Sequence, residues 1–126
     1  MKNIYLIVGP SGVGKTTLAE NLEKRYGYKA LKSYTDRAPR NEDDNSHTFV
    51  SKEKFERLLN GNQLCEYVEF AGHHYAADRK QIDESDLYVV EPSGVREIKN
   101  HYNGDKGIFV IRLHQTPAEL RRRMLE

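Results

Sequence analysis

The segment from Gly9 to Thr16 constrains the fold of this chain more than any other part of its sequence. It reads Gly-Pro-Ser-Gly-Val-Gly-Lys-Thr and fits the pattern G-x-x-x-x-G-K-[ST]. The apolar run at 3–8 predicts a buried strand before it, and apolar side chains at four-residue steps predict a helix at 14–26 after it. Strand, glycine-rich turn and helix in this order are typical of a loop whose backbone N–H groups bind phosphate oxygens. The sequence therefore predicts a nucleoside-triphosphate-binding α/β domain.

The residue types of this loop match the chemistry of a bound triphosphate. Lys15 would bring a positive charge to the β- and γ-phosphates, and the hydroxyl of Thr16 would ligate Mg²⁺. The predicted ATP-binding residues are Gly9, Ser11, Gly12, Val13, Gly14, Lys15, Thr16 and Thr17. GTPases, motors and small-molecule kinases all contain such a loop, so it predicts nucleotide binding but no particular reaction.

Strands and helices alternate at both ends of the chain, which is typical of a parallel sheet flanked by helices. The predicted elements after the first helix are strands at 28–32, 48–50, 63–70, 86–90 and 107–113 and helices at 52–60, 93–102 and from 116 onward. Residues 33–46 show no periodicity and are predicted to be loop. We predict one domain, 1–126, with a core at 1–32 and 78–126 and an inserted, mixed subdomain at about 33–77.

Composition excludes several classes of protein. The chain has 126 residues, with 20 Lys and Arg against 19 Asp and Glu, and its net charge of +1 argues against a general nucleic-acid binder. Its early apolar run is too short for a signal peptide or a membrane span. Cys65 is the single cysteine, so no intrachain disulfide forms, and we expect it to be a core residue. We predict a cytoplasmic protein without nucleic-acid or membrane partners, and nothing in the sequence indicates its oligomeric state.

Beyond the phosphate loop, residues 33–40 resemble guanylate kinases. They read Ser-Tyr-Thr-Asp-Arg-Ala-Pro-Arg, which is similar to the serine and T-x-R-x-P-R of that family. The similarity continues through Phe-Val-Ser at 49–51 and through 66–72, which resembles E-x-x-x-F-x-G. Gly94 matches the last residue of the family's D-x-x-G, with Glu91 in place of the aspartate. The resemblance covers nearly the whole chain and implies transfer of the γ-phosphoryl group of ATP to GMP with Mg²⁺.

The resemblance also implies an acceptor site. Arg37 and Arg40 would hold the acceptor phosphate, since guanidinium groups bind phosphate in bidentate fashion. The carboxylate of Glu66 would accept hydrogen bonds from N1–H and the exocyclic amine of guanine. The further implied acceptor-binding residues are Ser33, Tyr75 and His47, the last standing where the family has a tyrosine. Taken alone, the two arginines also fit a solvated loop with surface ion pairs, and Glu66 also fits the solvent face of a strand.

The remaining implied roles concern catalysis and the metal ion. Arg123 would join Lys15 as a catalytic residue by closing over the triphosphate and neutralising charge that develops during transfer. The three arginines at 121–123 also fit the solvated last turn of a helix. Thr16, with Glu91 acting through water, would hold Mg²⁺.

Two departures from the family pattern fall in the implied base pocket. Ala77 stands where a serine or threonine helps to read guanine, and Val89 replaces the first of two aspartates. Weaker guanine selectivity is expected, so a different nucleoside monophosphate or a sugar phosphate is the first alternative acceptor. A non-catalytic guanylate-kinase-like binding module is the second alternative, and the intact Lys15 and Thr16 argue against it. The family continues through a lid and further core elements, so we expect the C-terminal part to be missing from this chain.

Overall fold

The structure is a computed structural model that describes residues 3–10, 14–61 and 63–114. Within these residues the elements are β1 (Asn3–Val8), α1 (Lys15–Tyr26), β2 (Tyr34–Thr35), β3 (Thr48–Phe49), α2 (Lys52–Asn60), β4 (Leu64–Phe70), β5 (His73–Asp78), α3 (Arg79–Glu84), β6 (Leu87–Val89), α4 (Pro92–His101) and β7 (Gly107–Arg112). None of the helices in these ranges is long and apolar enough to span a bilayer.

A parallel sheet with the order β6-β1-β7 forms the core and carries the phosphate loop. Ile4, Leu6 and Val8 are buried in one apolar cluster, whereas Ile7 packs with Ala19 of α1 in a second cluster. A central parallel strand is covered on both faces, which explains why β1 is a continuous apolar run. The predicted fold class, a parallel α/β sheet flanked by helices, is confirmed.

A second sheet has the strand order β3-β2-β5-β4, and its strands come between α1 and α3 in the sequence. It is mixed, because β2 pairs with β3 in parallel and with β5 antiparallel, and β5 pairs antiparallel with β4. The tight turn between β4 and β5 has positive φ at both Ala71 and Gly72, 53° and 79°. Such a turn matches the right-handed twist of the strands that it joins.

The sequence-based expectations differ from the structure in the middle of the chain. The strand predicted at 28–32 is wrong, because only Ala30 forms an isolated bridge, to Leu87. The loop predicted at 33–46 contains the short strand β2. No element was expected over β5 and α3, although a capping box of Asp78 and Gln81 begins α3. The helix predicted from 116 onward lies outside the described residues.

Candidate active site

The phosphate loop connects β1 to α1. Gly14 has φ of 99°, a left-handed conformation that favours glycine, and it precedes the first residue of α1. The ammonium of Lys15 donates to the carbonyl of Gly9 at 2.6 Å, so its charge lies across the loop. The first turn of α1 has no acidic side chain, and the positive end of its dipole is open to an anion. Thr16 and Thr17 are exposed there, while 11–13 lie outside the described residues.

A cleft of about 430 Å³ has Thr16 of the predicted donor site and several predicted acceptor residues in its lining. It lies at the carboxyl end of β6, where ligands commonly bind in open α/β sheets. From the core it is lined by Thr16, Val89, Val90 and Glu91, and from the second sheet and its loops by Ser33, Ser46, His47, Glu66 and Tyr75. Four of the six predicted acceptor residues therefore line the same space, and the remaining two, Arg37 and Arg40, do not.

Ser33, His47 and Tyr75 form one contact group in this cleft. The hydroxyl of Ser33 and Nδ1 of His47 are hydrogen-bonded at 3.0 Å, and the rings of His47 and Tyr75 have centroids 5.0 Å apart. Burial lowers the pKa of His47, and the nearby Arg37 lowers it further. The imidazole is therefore neutral at pH 7 and offers a single N–H donor.

The two predicted phosphate-binding arginines lie on the loop that borders the cleft and are not among its described lining residues. A guanidinium nitrogen of Arg37 is 3.6 Å from the carboxylate of Asp44 and 3.4 Å from the hydroxyl of Ser46. Its central carbon lies 5.5 Å from the ring centroid of Phe49. Its Nε is buried and has no hydrogen-bond partner among the described groups. Arg40 is exposed. To contact a phosphate in the cleft, the two arginines would have to move a short distance, or the ligand would have to extend to them.

Asp44 organises the loop that carries these arginines. Its carboxylate accepts hydrogen bonds from the backbone N–H of Arg40 at 3.0 Å, from the N–H of Ser46 at 3.1 Å and from the Ser46 hydroxyl at 2.6 Å. The bond from Arg40 and those from Ser46 hold the pKa of Asp44 well below its usual range. Asp44 was not predicted as a functional residue, although Asp followed two positions later by a hydrogen-bonding serine is a common turn pattern.

A second aspartate, Asp36, anchors the start of the loop on β5. It accepts from the backbone N–H of His74 at 2.9 Å, and its carboxylate lies 2.7 Å from Nδ1 of the same histidine. Burial by itself would raise the pKa of Asp36, but the bonds to His74 outweigh it and the pKa is lowered. The hydroxyl of Thr35 donates to the His74 carbonyl at 2.9 Å and accepts from the N–H of Arg37 at 3.1 Å. These contacts fix the position from which the Arg37 side chain extends.

Glu66 also lines the cleft and is 6% exposed. Burial raises the pKa of its carboxyl group, and the negative charges of Glu97 and Glu91 raise it further. The hydroxyl of Tyr88 donates a hydrogen bond to Oε1 of Glu66, and this bond lowers the pKa of Glu66. The alternative interpretation of Glu66 as a solvent-facing strand residue does not fit this burial. Tyr88 was not predicted as a site residue, because in the sequence it reads as an ordinary apolar strand position.

The predicted metal ligands share the cleft but form a sparse set. Thr16 is the second residue of α1, and the exposed Glu91 follows β6 and precedes the first residue of α4. No cluster of three or more His, Cys, Asp or Glu side chains that could hold a metal occurs in the described ranges. A hydroxyl and a carboxylate still suit Mg²⁺, which prefers oxygen ligands and keeps most of its coordination for water and phosphate. Arg123 lies beyond the described residues.

Comparisons with known proteins agree with the resemblance seen in the motifs. The family model described as guanylate kinase matches residues 1–124. A guanylate kinase of Bordetella pertussis is 36% identical over 118 residues, which cover 86% of this chain and 55% of that protein. One from Thermosynechococcus vestitus is 35% identical over 130 residues, covering 96% of this chain and 67% of that protein.

A solved structure shares the fold. The crystal structure of guanylate kinase from Anaplasma phagocytophilum matches with a TM-score of 0.54 and 24% identity, covering 97% of this chain and 65% of that one. The chain spans 55% of the length of the Bordetella relative. The family match over nearly every residue, together with the phosphate loop and the cleft beside it, shows that the chain belongs to the guanylate kinase family.

Proposed function

We propose that this chain forms the phosphate-loop and acceptor-binding parts of a kinase that transfers the γ-phosphoryl group of ATP to GMP with Mg²⁺. The observation that carries the proposal is a single cleft with Thr16, at the start of the phosphate-loop helix, on one side and Ser33, His47 and Glu66 on the other. Direct transfer between two phosphates requires both nucleotides in one place, because positioning and charge neutralisation supply most of the catalysis. Membership in the guanylate kinase family supports the same reaction.

In the donor half, the loop from Gly9 to Thr17 binds the phosphates of ATP through backbone N–H groups and the N-terminus of α1. The ammonium of Lys15 exchanges the carbonyl of Gly9 for phosphate oxygens and neutralises charge on the group in transfer. Arg123 is the second catalytic cation in this proposal. No covalent enzyme intermediate is needed, because one oxygen of the acceptor phosphate attacks the γ-phosphorus while the bond to ADP breaks.

In the acceptor half, residues of 33–77 bind GMP, and 1–32 with 78–126 form the core. Arg37 and Arg40 hold the phosphate with Ser33, Tyr75 and the neutral imidazole of His47. Glu66 reads the base through hydrogen bonds to its carboxylate. The Nε of Arg37 is buried and has no hydrogen-bond partner within the described part of the chain, which supports this assignment, since a phosphate oxygen would satisfy it.

Thr16 and Glu91 would hold Mg²⁺, Glu91 through water. Mg²⁺ held there would offset the negative charge of the triphosphate during transfer. The oxygen chemistry of the two side chains, both on the wall of the cleft, supports the assignment.

We also propose a cytoplasmic location. The single cysteine is buried, and burial raises the pKa of the Cys65 thiol to about 11, so it is a protonated core residue. A free thiol of this kind is compatible with a reducing compartment.

The test is release of ADP from ATP in the presence of single acceptors: GMP, AMP, other nucleoside monophosphates and sugar phosphates. We expect the fastest release with GMP and none after chelation of Mg²⁺ with EDTA. Lys15→Ala should abolish release, whereas Lys24→Ala, in the last turn of the same helix, should not. Faster transfer to another acceptor would refute GMP as substrate, and ATP binding without transfer to any acceptor would refute the kinase reaction. Failure to bind ATP would favour a non-catalytic binding module.

A further inference from the structure

Tyr88 is a polar residue of the cleft next to Glu66, and it has no role in the reaction proposed above. It lies in β6, lines the cleft and is 8% exposed. Its ring belongs to the same buried cluster as Ala77, and its hydroxyl donates to the carboxylate of Glu66. A phenol whose ring is buried among apolar side chains usually directs its hydroxyl to a hydrogen-bond partner.

The surroundings of Tyr88 lack the polar groups that the family pattern implies for the base pocket. Ala77 is fully buried and is not among the described lining residues, so it presents neither a hydroxyl nor open space to a base. Val89 does line the cleft and contributes only methyl groups. The Tyr88 hydroxyl is therefore a polar group in the region where positions 77 and 89 supply none.

Glu66 is held from two sides. Oε1 accepts the hydrogen bond from Tyr88, and Oε2 lies against Gly94, where an added Cβ would come within 2.2 Å. A carboxylate has about four acceptor positions on its two oxygens, so the phenol occupies one and leaves room for others. With one oxygen bonded and the other packed against the start of α4, the carboxylate has little freedom to rotate.

The pKa of Tyr88 also reflects the polar groups around its phenol. Burial and the Glu66 carboxylate raise the pKa of Tyr88 well above its usual value, whereas a hydrogen bond involving the Ser33 hydroxyl lowers it. Ser33 in turn is bonded to His47 at 3.0 Å. Glu66, Tyr88, Ser33 and His47 all line the cleft, so polar groups of these four residues share one space.

We propose that Tyr88 is a positioning residue that determines base selectivity in the acceptor site. Its phenol fixes the Glu66 carboxylate so that both oxygens can accept N–H groups from a purine that has a hydrogen on N1 and an amino group on C2. This inference rests on the proposed function, because it concerns the acceptor of the same reaction. Tyr88 acts through Glu66 and takes the place of the hydroxyl and carboxylate that positions 77 and 89 lack.

Loss of the Tyr88 hydroxyl would change the titration of Glu66, which a purely structural role of Tyr88 would not. Without the phenol, Glu66 stays buried and still faces the negative charges of Glu91 and Glu97, but it loses the hydrogen bond that favours its ionised form. It then takes up a proton at a higher pH than in the parent chain. A protonated carboxyl group cannot accept two N–H groups, so GMP binding weakens as the pH falls, and this begins at a higher pH in the variant.

The experiment compares Tyr88→Phe with Tyr102→Phe. Tyr102 also donates to a carboxylate, Oδ1 of Asp83 at 2.6 Å, but it does not line the cleft. The dissociation constants of GMP and of IMP, which lacks the C2 amino group, are measured by calorimetry from about pH 6 to about pH 8. We expect Tyr88→Phe to weaken GMP about tenfold and IMP clearly less, as for loss of one well-placed hydrogen bond. Tyr102→Phe should leave the ratio of the two constants unchanged.

Three outcomes would overturn the inference. Equal weakening of GMP and IMP would mean that Tyr88 only supports the fold. An undiminished effect of Tyr88→Phe on the ratio in a Glu66→Gln background would mean that it does not act through Glu66. A carbon-13 NMR titration of the ligand-free chain in which the midpoint of Glu66 does not rise in Tyr88→Phe would refute the contact itself. If the parent chain binds neither nucleotide, the proposed function fails as well. If the parent prefers GMP and the variant keeps that preference, only the inference fails.

Discussion

Gly94→Ala is the substitution for which the structure makes the sharpest prediction. Gly94 is the third residue of α4, and a Cβ there would lie 2.2 Å from Oε2 of Glu66 and 2.4 Å from Cγ2 of Val90. Val90 is buried and β-branched, so its side chain has few alternative rotamers. The Glu66 carboxylate is the end of a longer side chain and must move. We therefore expect the variant to displace Glu66 from its hydrogen bond with Tyr88.

The expected effects on stability and on binding differ in size. Overpacking a core typically costs about 1–3 kcal/mol. Alanine is more favourable than glycine inside a helix by about 1 kcal/mol, which offsets part of this cost. The free energy of unfolding should therefore fall by only roughly 0–2 kcal/mol. A misplaced carboxylate loses hydrogen bonds of about 1.5–3 kcal/mol with a base, which corresponds to roughly a 10- to 150-fold weaker affinity for GMP. The variant should fold and should bind ATP like the parent.

The assay is calorimetry with GMP and with ATP in separate titrations, alongside thermal unfolding. Gly61→Ala is the matched control, because a Cβ at that helix end would meet its nearest atoms at 3.4 and 3.6 Å, and Gly61 does not line the cleft. GMP affinity equal to that of the parent in Gly94→Ala would refute the reasoning that Glu66 must stay where it lies to bind the acceptor. Equal losses for GMP and ATP would point to a general change of fold.

Three further predictions concern the loops of the cleft. Lys15→Ala should abolish phosphoryl transfer with an unchanged unfolding temperature, because its ammonium contacts a loop carbonyl and not the core; turnover near the parent rate would contradict the donor-site assignment. Arg37→Ala and Arg40→Ala should each weaken GMP by roughly 10- to 150-fold without weakening ATP, as measured by calorimetry, and equal losses for both ligands would assign them to the donor site or to folding. Asp36→Asn should lower the free energy of unfolding at neutral pH by about 1–3 kcal/mol through its bonds to His74. Since the folded pKa of Asp36 is lowered, its contribution is complete above the unfolded value of about 3.9 and disappears as the pH falls through the folded value, so denaturant titrations of parent and variant should converge in acid.

The core sheet could be predicted from sequence because its signals are local. β1 is an apolar run that ends at a glycine, and α1 has apolar positions at helical spacing with Gly27 at its end. β5 could not be predicted in this way, since its sequence His-His-Tyr-Ala-Ala-Asp neither alternates nor forms an apolar run. Its place depends on pairing with β4 and β2 on both sides, which is tertiary information.

The error at 28–32 has a related cause. The segment has strand-like residues, but the N–H of Lys29 is bonded at 2.8 Å to the carboxylate of Asp86, and the N–H of Leu31 to the carbonyl of Leu87 at 2.8 Å. Single contacts with distant residues replace a regular ladder there. The intrinsic strand propensity of a segment does not predict whether its backbone groups pair with a neighbouring strand or with single distant residues.

The candidate site was also only partly accessible to sequence reasoning. Glu66 and Ser33 could be located because the resemblance supplies their spacing. The importance of Tyr88 depends on its hydrogen bond to the buried Glu66 carboxylate, and no pattern in the sequence predicts that contact. Ala77 shows the opposite case, since its alignment suggests the base pocket while packing places it in the core cluster.

The charges of the cleft explain how it could distinguish a nucleotide from an uncharged nucleoside. Its described lining includes the carboxylates of Glu20, Glu23, Glu66 and Glu91. Among the same residues only Lys32 carries a full positive charge, and its ammonium lies 3.8 Å from Glu23. The cations that phosphates need are engaged nearby, Lys15 with a carbonyl and Arg37 with Asp44. A phosphate that approaches Arg37 therefore competes with the Asp44 carboxylate. The phosphate has the higher negative charge and can bind the guanidinium through two oxygens. A nucleoside offers no such exchange and would leave Arg37 paired with Asp44, so we expect nucleosides to bind more weakly than their monophosphates.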